Sequence, residues 1–337
     1  MTKSRFLAGL IALLIGWSAT EIAIAETQAD IIEKAKKEGS LVIYGSTSIS
    51  DQTALCKAFN KRYAFIQCES IKLAGHNWTS RMALERESRQ YITDVVMGNF
   101  FVMAELVRRG YVVSYNSPER SAYSKGYKDD DGFWTAFTKA YTTIIYNPDL
   151  VGPGGAPREW DDLLSPKFKY NVLVDSNNLD ILGAQIKVMG EEETVAFWKK
   201  VQANGAVLTS GSSGVVQRVA AGEYAIGVGA MAHQVIAAKR DGASVEWVST
   251  ADPMPILLQA IGIVEKAPHP NSAKLFVDWL LSREGQETLH AETGRTPARS
   301  DVTTEATLPP HTMKVETSAE MVEKTNYLIE VCGQTFC

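Results

Sequence analysis

Between residues 29 and 112, short apolar runs alternate with amphipathic stretches of helical period. ADIIEKAKKEGS places Ile31, Ile32 and Ala35 on one helical face, with Gly39 positioned to end the helix. LVIYGSTS then reads as a continuous apolar strand followed by small polar residues. DQTALCKAFNKRY predicts a helix with Leu55, Ala58 and Phe59 inward, and FIQCESIKL a second strand. HNWTSRMALERESRQ predicts a helix whose apolar stripe is Trp78, Met82 and either Ala83 or Leu84. DVVMGNF and MAELVRRGYV add a third strand and helix. A strand that is apolar on both faces must be covered on both, and strands alternating with helices are joined as parallel neighbours. The alternation therefore predicts an α/β fold with a mostly parallel sheet flanked by helices.

The same grammar continues downstream. YTTIIYNPDLV predicts a strand ending in an Asn-Pro turn, GPGGAP a loop, and REWDDLLSPKFKYNVLV a short helix and a strand reaching Val174. EEETVAFWKKVQANG is a helix with acidic residues in its first turn and Lys199 and Lys200 near its end, in keeping with the helix dipole. SSGVVQRVAAG, EYAIGVG, AMAHQVIAAKRDG and VEWV read as helix, strand, helix and strand. LQAIGIVEKAPHP is a strand leading into NSAKLFVDWLLSREGQETLHAETG, one or two helices, and the tail ends in a helical SAEMVEKTNYLIEVC. The 337 residues suffice for two domains.

The chain opens with Lys3 and Arg5, an apolar run from Phe6 to Trp17, and Ala23-Ile24-Ala25. This is the layout of a signal peptide over 1–25, cut after Ala25, and it implies export. An exported chain can hold disulfides, and four cysteines allow three pairings. Proximity favours Cys56 with Cys68 and Cys332 with Cys337. The formal net charge of −5 and the absence of a basic patch argue against nucleic acid as a partner.

GEYAIGVGAMAHQV contains a G-x-G-x-x-A pattern at Gly227, Gly229 and Ala232 after an apolar run, with Glu246 at about the ribose-binding distance. Dinucleotide binding fits poorly deep in the chain and outside the cell. The alternatives are a strand–helix junction packed through small residues, or a junction whose backbone N–H groups and His233 line a ligand cleft.

GEYAIGVG, KRDGASVEWV, APHPNSAKLFVDWLLSREGQETL and GRTPARSD resemble the C-terminal landmarks of family 1 extracellular solute-binding proteins of ABC importers, in the ferric-iron and phosphonate branch. GSLVIYGSTS, DVVMGNFFVMAELVRRGYV and YNPDLV…PREWDDLLSPKFK extend the resemblance, which runs from about Ala29 to Val302. It implies the two-lobed type II periplasmic-binding-protein fold with a hinge of crossing strands. It also implies capture of a small solute for an inner-membrane permease. On that pattern lobe 1 spans 26–137 and 258–295, lobe 2 spans 138–257 and 296–337, and the hinge lies near Tyr141–Tyr146 and Gln259–Val264. Iron-binding members carry a ligating tyrosine pair where this sequence, counted from Gly222-Glu223, has Ala232 and His233. Hard Fe³⁺ prefers anionic oxygen to a lone imidazole.

In such sheets ligands sit beyond the carboxyl ends of strands, where helices begin. Those junctions supply the candidate site: Ser46, Thr47, His76, Asn77, Arg81, Asn99, Ser176, Asn177, Ser212, Ser213, Met231 and His233. Hydroxyl and amide side chains at helix starts, together with free N–H groups, form an anion cradle, and Arg81 could clamp a carboxylate or phosphonate. Each hydroxyl or amide could instead be a simple N-cap, Arg81 a solvated charge and Trp78 core packing. No nucleophile elbow or H-E-x-x-H is present, so the expected function is binding rather than catalysis, by a monomer without cofactor or metal; a secreted hydrolase is the alternative of another class. The expected solute is a small anionic or zwitterionic organic acid, phosphonate or phosphate ester, with ferric iron as the alternative.

Overall fold

The computed structural model describes residues 27–73, 77–309, 312–316 and 324–336. The signal-peptide region, His76 and Cys337 lie outside them. Helix α1 (Gln28–Glu38) opens on a capping box from Thr27 and stops at Gly39, whose left-handed backbone (φ 64°) lets its N–H reach the Ala35 carbonyl. Strand β1 (Ser40–Gly45), α2 (Ile49–Arg62), β2 (Gln67–Lys72), α3 (Asn77–Ser88), β3 (Val95–Asn99) and α4 (Phe100–Arg108) then alternate as expected. β1 pairs in parallel with both β2 and β3. Cys56 on α2 and Cys68 on β2 form a disulfide across a separation of 12 residues. Leu84 is not part of the α3 stripe; it is exposed, and Glu85 is buried instead because it bonds the Tyr44 hydroxyl on β1.

After β4 (Val112–Val113), the long strand β5 (Thr135–Tyr146) carries the chain into a second half. There α5 (Pro148–Val151), β6 (Val172–Asp175), α6 (Leu179–Met189), α7 (Glu191–Ala203), β7 (Val207–Thr209), α8 (Ser212–Ala220), β8 (Ile226–Met231), α9 (Ala232–Arg240) and β9 (Glu246–Trp247) repeat the alternation. β6 pairs in parallel with β7 and β8. Strand β10 (Met254–Val264) returns to the first half, antiparallel to β5 and β3. Helices α10 (Pro270–Leu281) and α11 (Arg283–Thr293) follow, separated at Ser282, which caps α11. β11 (Thr296–Pro297), β12 (Lys314–Glu316) and α12 (Thr325–Gly333) complete the described chain. No helix among the described residues is long and apolar enough to cross a membrane.

The strands form one sheet in the order β2-β1-β3-β10-β5-β8-β6-β7. β5 and β10 sit at its centre and pass between the halves. β5 pairs with β10 as far as Tyr141 and with β8 from Thr142 onward. Two sets of cores match this division. Ile43, Phe59, Met97, Phe137 and Phe276 pack on one side of β5, and Ile144, Leu182, Trp198 and Val228 on the other. The described residues of 296–337 pack against both sets of cores. Ala298, Ala306 and Leu308 pack in the first half, whereas Val331, Cys332 and Phe336 pack in the second. Cys332 is also disulfide-bonded.

Candidate functional site

In the first half, the chain leaving β1 is tied down at once. The Ser46 N–H donates to the Met97 carbonyl at 2.9 Å, and Ser48 Oγ caps α2 by accepting from the Asp51 N–H at 3.1 Å. Gly45 lacks a side chain where the Gln52 amide lies, within 2.5–2.7 Å of the position a Cβ would take. From there Gln52 Nε2 donates to the Thr47 carbonyl. At Gly98 the Trp78 ring and Ser46 Oγ lie 3.5 and 3.7 Å from the virtual Cβ, ordinary contact distances. Trp78 is thus a fully buried core residue beneath this junction. Asn99 Oδ1 accepts from the Val102 N–H and caps α4. Arg81 is anchored within its own half. Its Nε donates to Tyr44 Oη at 2.8 Å and Glu85 Oε1 at 3.1 Å, and its guanidinium lies over the Tyr44 ring.

The second half is built differently. Asp175 Oδ1, at the end of β6, accepts from the N–H groups of Asn177 and Gly211 and from Asn177 Nδ2, which also reaches Ser210 Oγ. The Ser176 N–H donates to the Thr209 carbonyl. Asn177 therefore staples two junctions together. Asn178 has its amide where a Gly229 side chain would be, 1.5 Å from the virtual Cβ, and Gly229 itself has φ 91°. Gly227 makes room for Val215 and Ile145. The glycines of the G-x-G-x-x-A pattern thus serve close packing, and Asn178 fills the space at the second of them.

Helix α8 starts after Gly211 and α9 after Met231, neither with a side-chain cap. Their first-turn N–H groups, including those of Ser212 and Ser213, have no acceptor within the helix. Ser213 Oγ accepts from Gln234 Nε2 and so links the two helix starts. α6 also lacks a cap at Asn178, but the buried Asp180 carboxylate lies by the first-turn amides of its own helix. Burial raises the pKa of that carboxyl.

These corners meet over the crossing strands. Asn99, at the end of β3, pairs with Gln259, which pairs with Thr138 on β5. Met231, at the end of β8, pairs with Thr142 on the same strand. Four residues of β5 separate the two levels, roughly 13 Å at the usual strand rise. Most of the buried side-chain atoms left without a hydrogen bond gather here. They include, among the described residues, Thr47 Oγ1, Gln52 Oε1, Trp78 Nε1 and Gln259 Oε1 from the first-half side and Gln234 Oε1 from the second, whereas the Thr142 hydroxyl and the Asp180 carboxyl serve one another. Buried polar groups are ordinarily satisfied, so such a concentration marks a place where a partner belongs.

Two contributors escape local sequence reading. His233 is half-buried at the start of α9. Its pKa is lowered to about 4, by burial first and then by the Arg295 guanidinium, with Asp51 opposing. Arg295 Nε donates to Asp51 Oδ2 at 2.7 Å although the two lie 244 residues apart. Asp51 belongs to α2 and Arg295 follows α11, so this ion pair of the first half faces a histidine of the second. The side chain of Asn77 and the whole of His76 fall outside what the structure describes.

A family profile of bacterial extracellular solute-binding proteins matches residues 91–323, about two-thirds of the chain. The chain belongs to this family. Among relatives of this solute-binding protein is a periplasmic protein of Salmonella typhi assigned to 2-aminoethylphosphonate binding. It is 25% identical over 66% of this chain and 67% of that one. An Fe(3+)-binding periplasmic protein of Serratia marcescens is 24% identical over 48% of this chain and 51% of its own. The periplasmic binding protein AfuA of Actinobacillus pleuropneumoniae, solved with fructose-6-phosphate, shares the fold at a TM-score of 0.69 and 22% identity. That match covers 87% of this chain and 97% of that one. The two-lobed type II architecture is therefore the fold of this solute-binding protein. Its family consists of binding proteins rather than enzymes.

Proposed function

We propose that this protein captures a small anionic or zwitterionic solute between its halves in the periplasm and delivers it to an inner-membrane ABC permease. The carrying observation is the uncapped start of α8 and α9 beside unsatisfied polar atoms of both halves. Helix N-termini without their own caps offer N–H donors and a positive dipole end to a phosphonate, phosphate ester or carboxylate. Arg295 stands where it can add charge, and Asp51 or Asp180 where a solute ammonium could be met. Lobe 1 would comprise 26–137 and 258 to about 308, and lobe 2 would comprise 138–257 with α12. A solute touching both would favour the closed form, since only that form contacts it from both sides.

The ferric reading, supported by the name of the Serratia relative, meets two obstacles. Positions 232 and 233 hold Ala and His, and Arg295 places a positive charge beside His233. A thermal-shift screen decides between the readings. Aminoethylphosphonate, sugar phosphates, short organic acids and ferric citrate are compared, with citrate alone as control. An oxyanion is expected to raise the melting temperature by several degrees, and Arg295→Ala to reduce that shift more than Arg81→Ala. A response confined to ferric iron would overturn the proposal.

A further inference from the structure

Away from the strand-end corners, a cavity of about 300 Å³ opens beside the crossing strand. Lys139 and Tyr141 of β5 line it, together with Tyr127, Ser300 and Thr303 on the segment leaving β11, and Lys314 at the start of β12. Among the described residues, none of the candidate solute-site residues lines it, and neither does any carboxylate. Lys139 is half-buried and has no ion pair or side-chain hydrogen bond among the described residues; its Nζ rests 5.8 Å from the Tyr127 ring centroid. Burial, and secondarily Lys314, lowers the Lys139 pKa to about 8. A partly desolvated ammonium near a second one, with hydroxyls around and no counter-charge among the described residues, is an arrangement whose cost a bound anion would offset.

We propose that this cavity is a second anion site, separate from the solute cleft, which takes a small oxyanion of the phosphate or sulfate type between Lys139 and Lys314. The volume lies at the small end of ligand pockets. Each ammonium would make charge-assisted hydrogen bonds to the oxyanion, and Tyr141 and Thr303 would offer hydroxyl donors. The site sits on the strand that joins the halves. Lys139 pairs with Leu258 on β10 and Thr296 on β11. Tyr141, two residues on, stacks parallel to Trp247 of the second half at 6.5 Å. A bound oxyanion would thus clamp the C-terminal segment onto β5 next to the point where that strand changes partners.

The test titrates the full chain with sodium sulfate at pH 7, at ionic strength held constant with sodium chloride. Melting temperature and calorimetric heat are followed. Sulfate keeps its charge across the range, so pH then reports on the protein. The expected result is a saturable stabilisation at millimolar sulfate. Lys139→Met should abolish it, Lys314→Met should weaken it at least ~5-fold, and both Lys139→Arg and Arg295→Ala should retain it. At pH 9.5 the response should fall several-fold as Lys139 loses its proton; Lys314, Tyr127 and Tyr141 are the other titratable groups facing the cavity. A melting curve of sulfate-free Lys139→Met separates a folding defect from a lost site. No saturable response in the wild type, an equal response in Lys139→Met, or a response lost in Arg295→Ala alone would each overturn the proposal.

Discussion

The two halves of this protein present the same kind of corner, a parallel strand running into a helix, and finish it in opposite ways. In the first half Ser48 and Asn99 bond the first-turn amides of α2 and α4, and Arg81 is held by Glu85 and Tyr44. In the second half α8 and α9 begin with no side-chain cap, and the polar residues nearby bond one another. A capped corner satisfies itself and contributes stability; an uncapped corner keeps its donors for something else. On the proposed function, the contrast would give scaffolding to one side and recognition to the other, with Arg295 and Asp51 as the first half's contribution near His233.

The hardest test of that division is Ser212→Asp. A carboxylate at the first position of α8 satisfies the helix dipole but occupies the place of an anionic solute. Binding should drop by about 100-fold or more, which is roughly 2.7 kcal/mol. The unliganded melting temperature should hold or rise. If calorimetry shows unchanged affinity, recognition does not lie at α8. Breaking the staple of the scaffold side comes next. Cys56→Ser with Cys68→Ser removes the crosslink across 12 residues, and denaturant titration should show a loss of about 2–3 kcal/mol with solute affinity within twofold.

His233 sharpens the comparison through pH. Its folded pKa of about 4 lies below its ordinary value of 6.5, so the fold favours neutral imidazole. The associated stability is fully present above pH 6.5 and is lost as pH falls toward 4. His233→Gln should therefore flatten the decline of stability across that window by on the order of 2 kcal/mol, read from denaturant midpoints at each pH. The smallest effect is expected at a capped corner. Ser48→Ala should cost ~1 kcal/mol of stability and leave binding unchanged. A binding defect there larger than its stability cost would mean that capped corners also touch solute.

The alternating strands and helices of the first half were legible because each helix has one wet face, so its period survives in the sequence. Helix α6 was not, for the opposite reason. Residues 180–185 are buried at every position, so its first turn and a half shows no wet face. The beginning of β10 at Met254 was hidden by the prolines on either side of it. The candidate list was drawn from strand-to-helix corners and could not tell occupied groups from open ones. Arg81 shows no local sign of its bond to Tyr44, which comes from a strand 37 residues away. Asp51 and Arg295 were missed because nothing in their own segments announces a partner on the far side of the sheet.

By itself the sequence determined the α/β architecture, the family and the positions where strands hand over to helices, because periodicity, turn residues and caps act over a few neighbouring residues. Only the tertiary structure decided which of those handovers remain unsatisfied and which charges face across the crossing strands. Hydrogen-bond satisfaction and burial depend on groups brought close by the fold rather than by the chain. A serine before a helix reads the same whether it caps that helix, as Ser48 does, or lies beside donors left open, as Ser212 does.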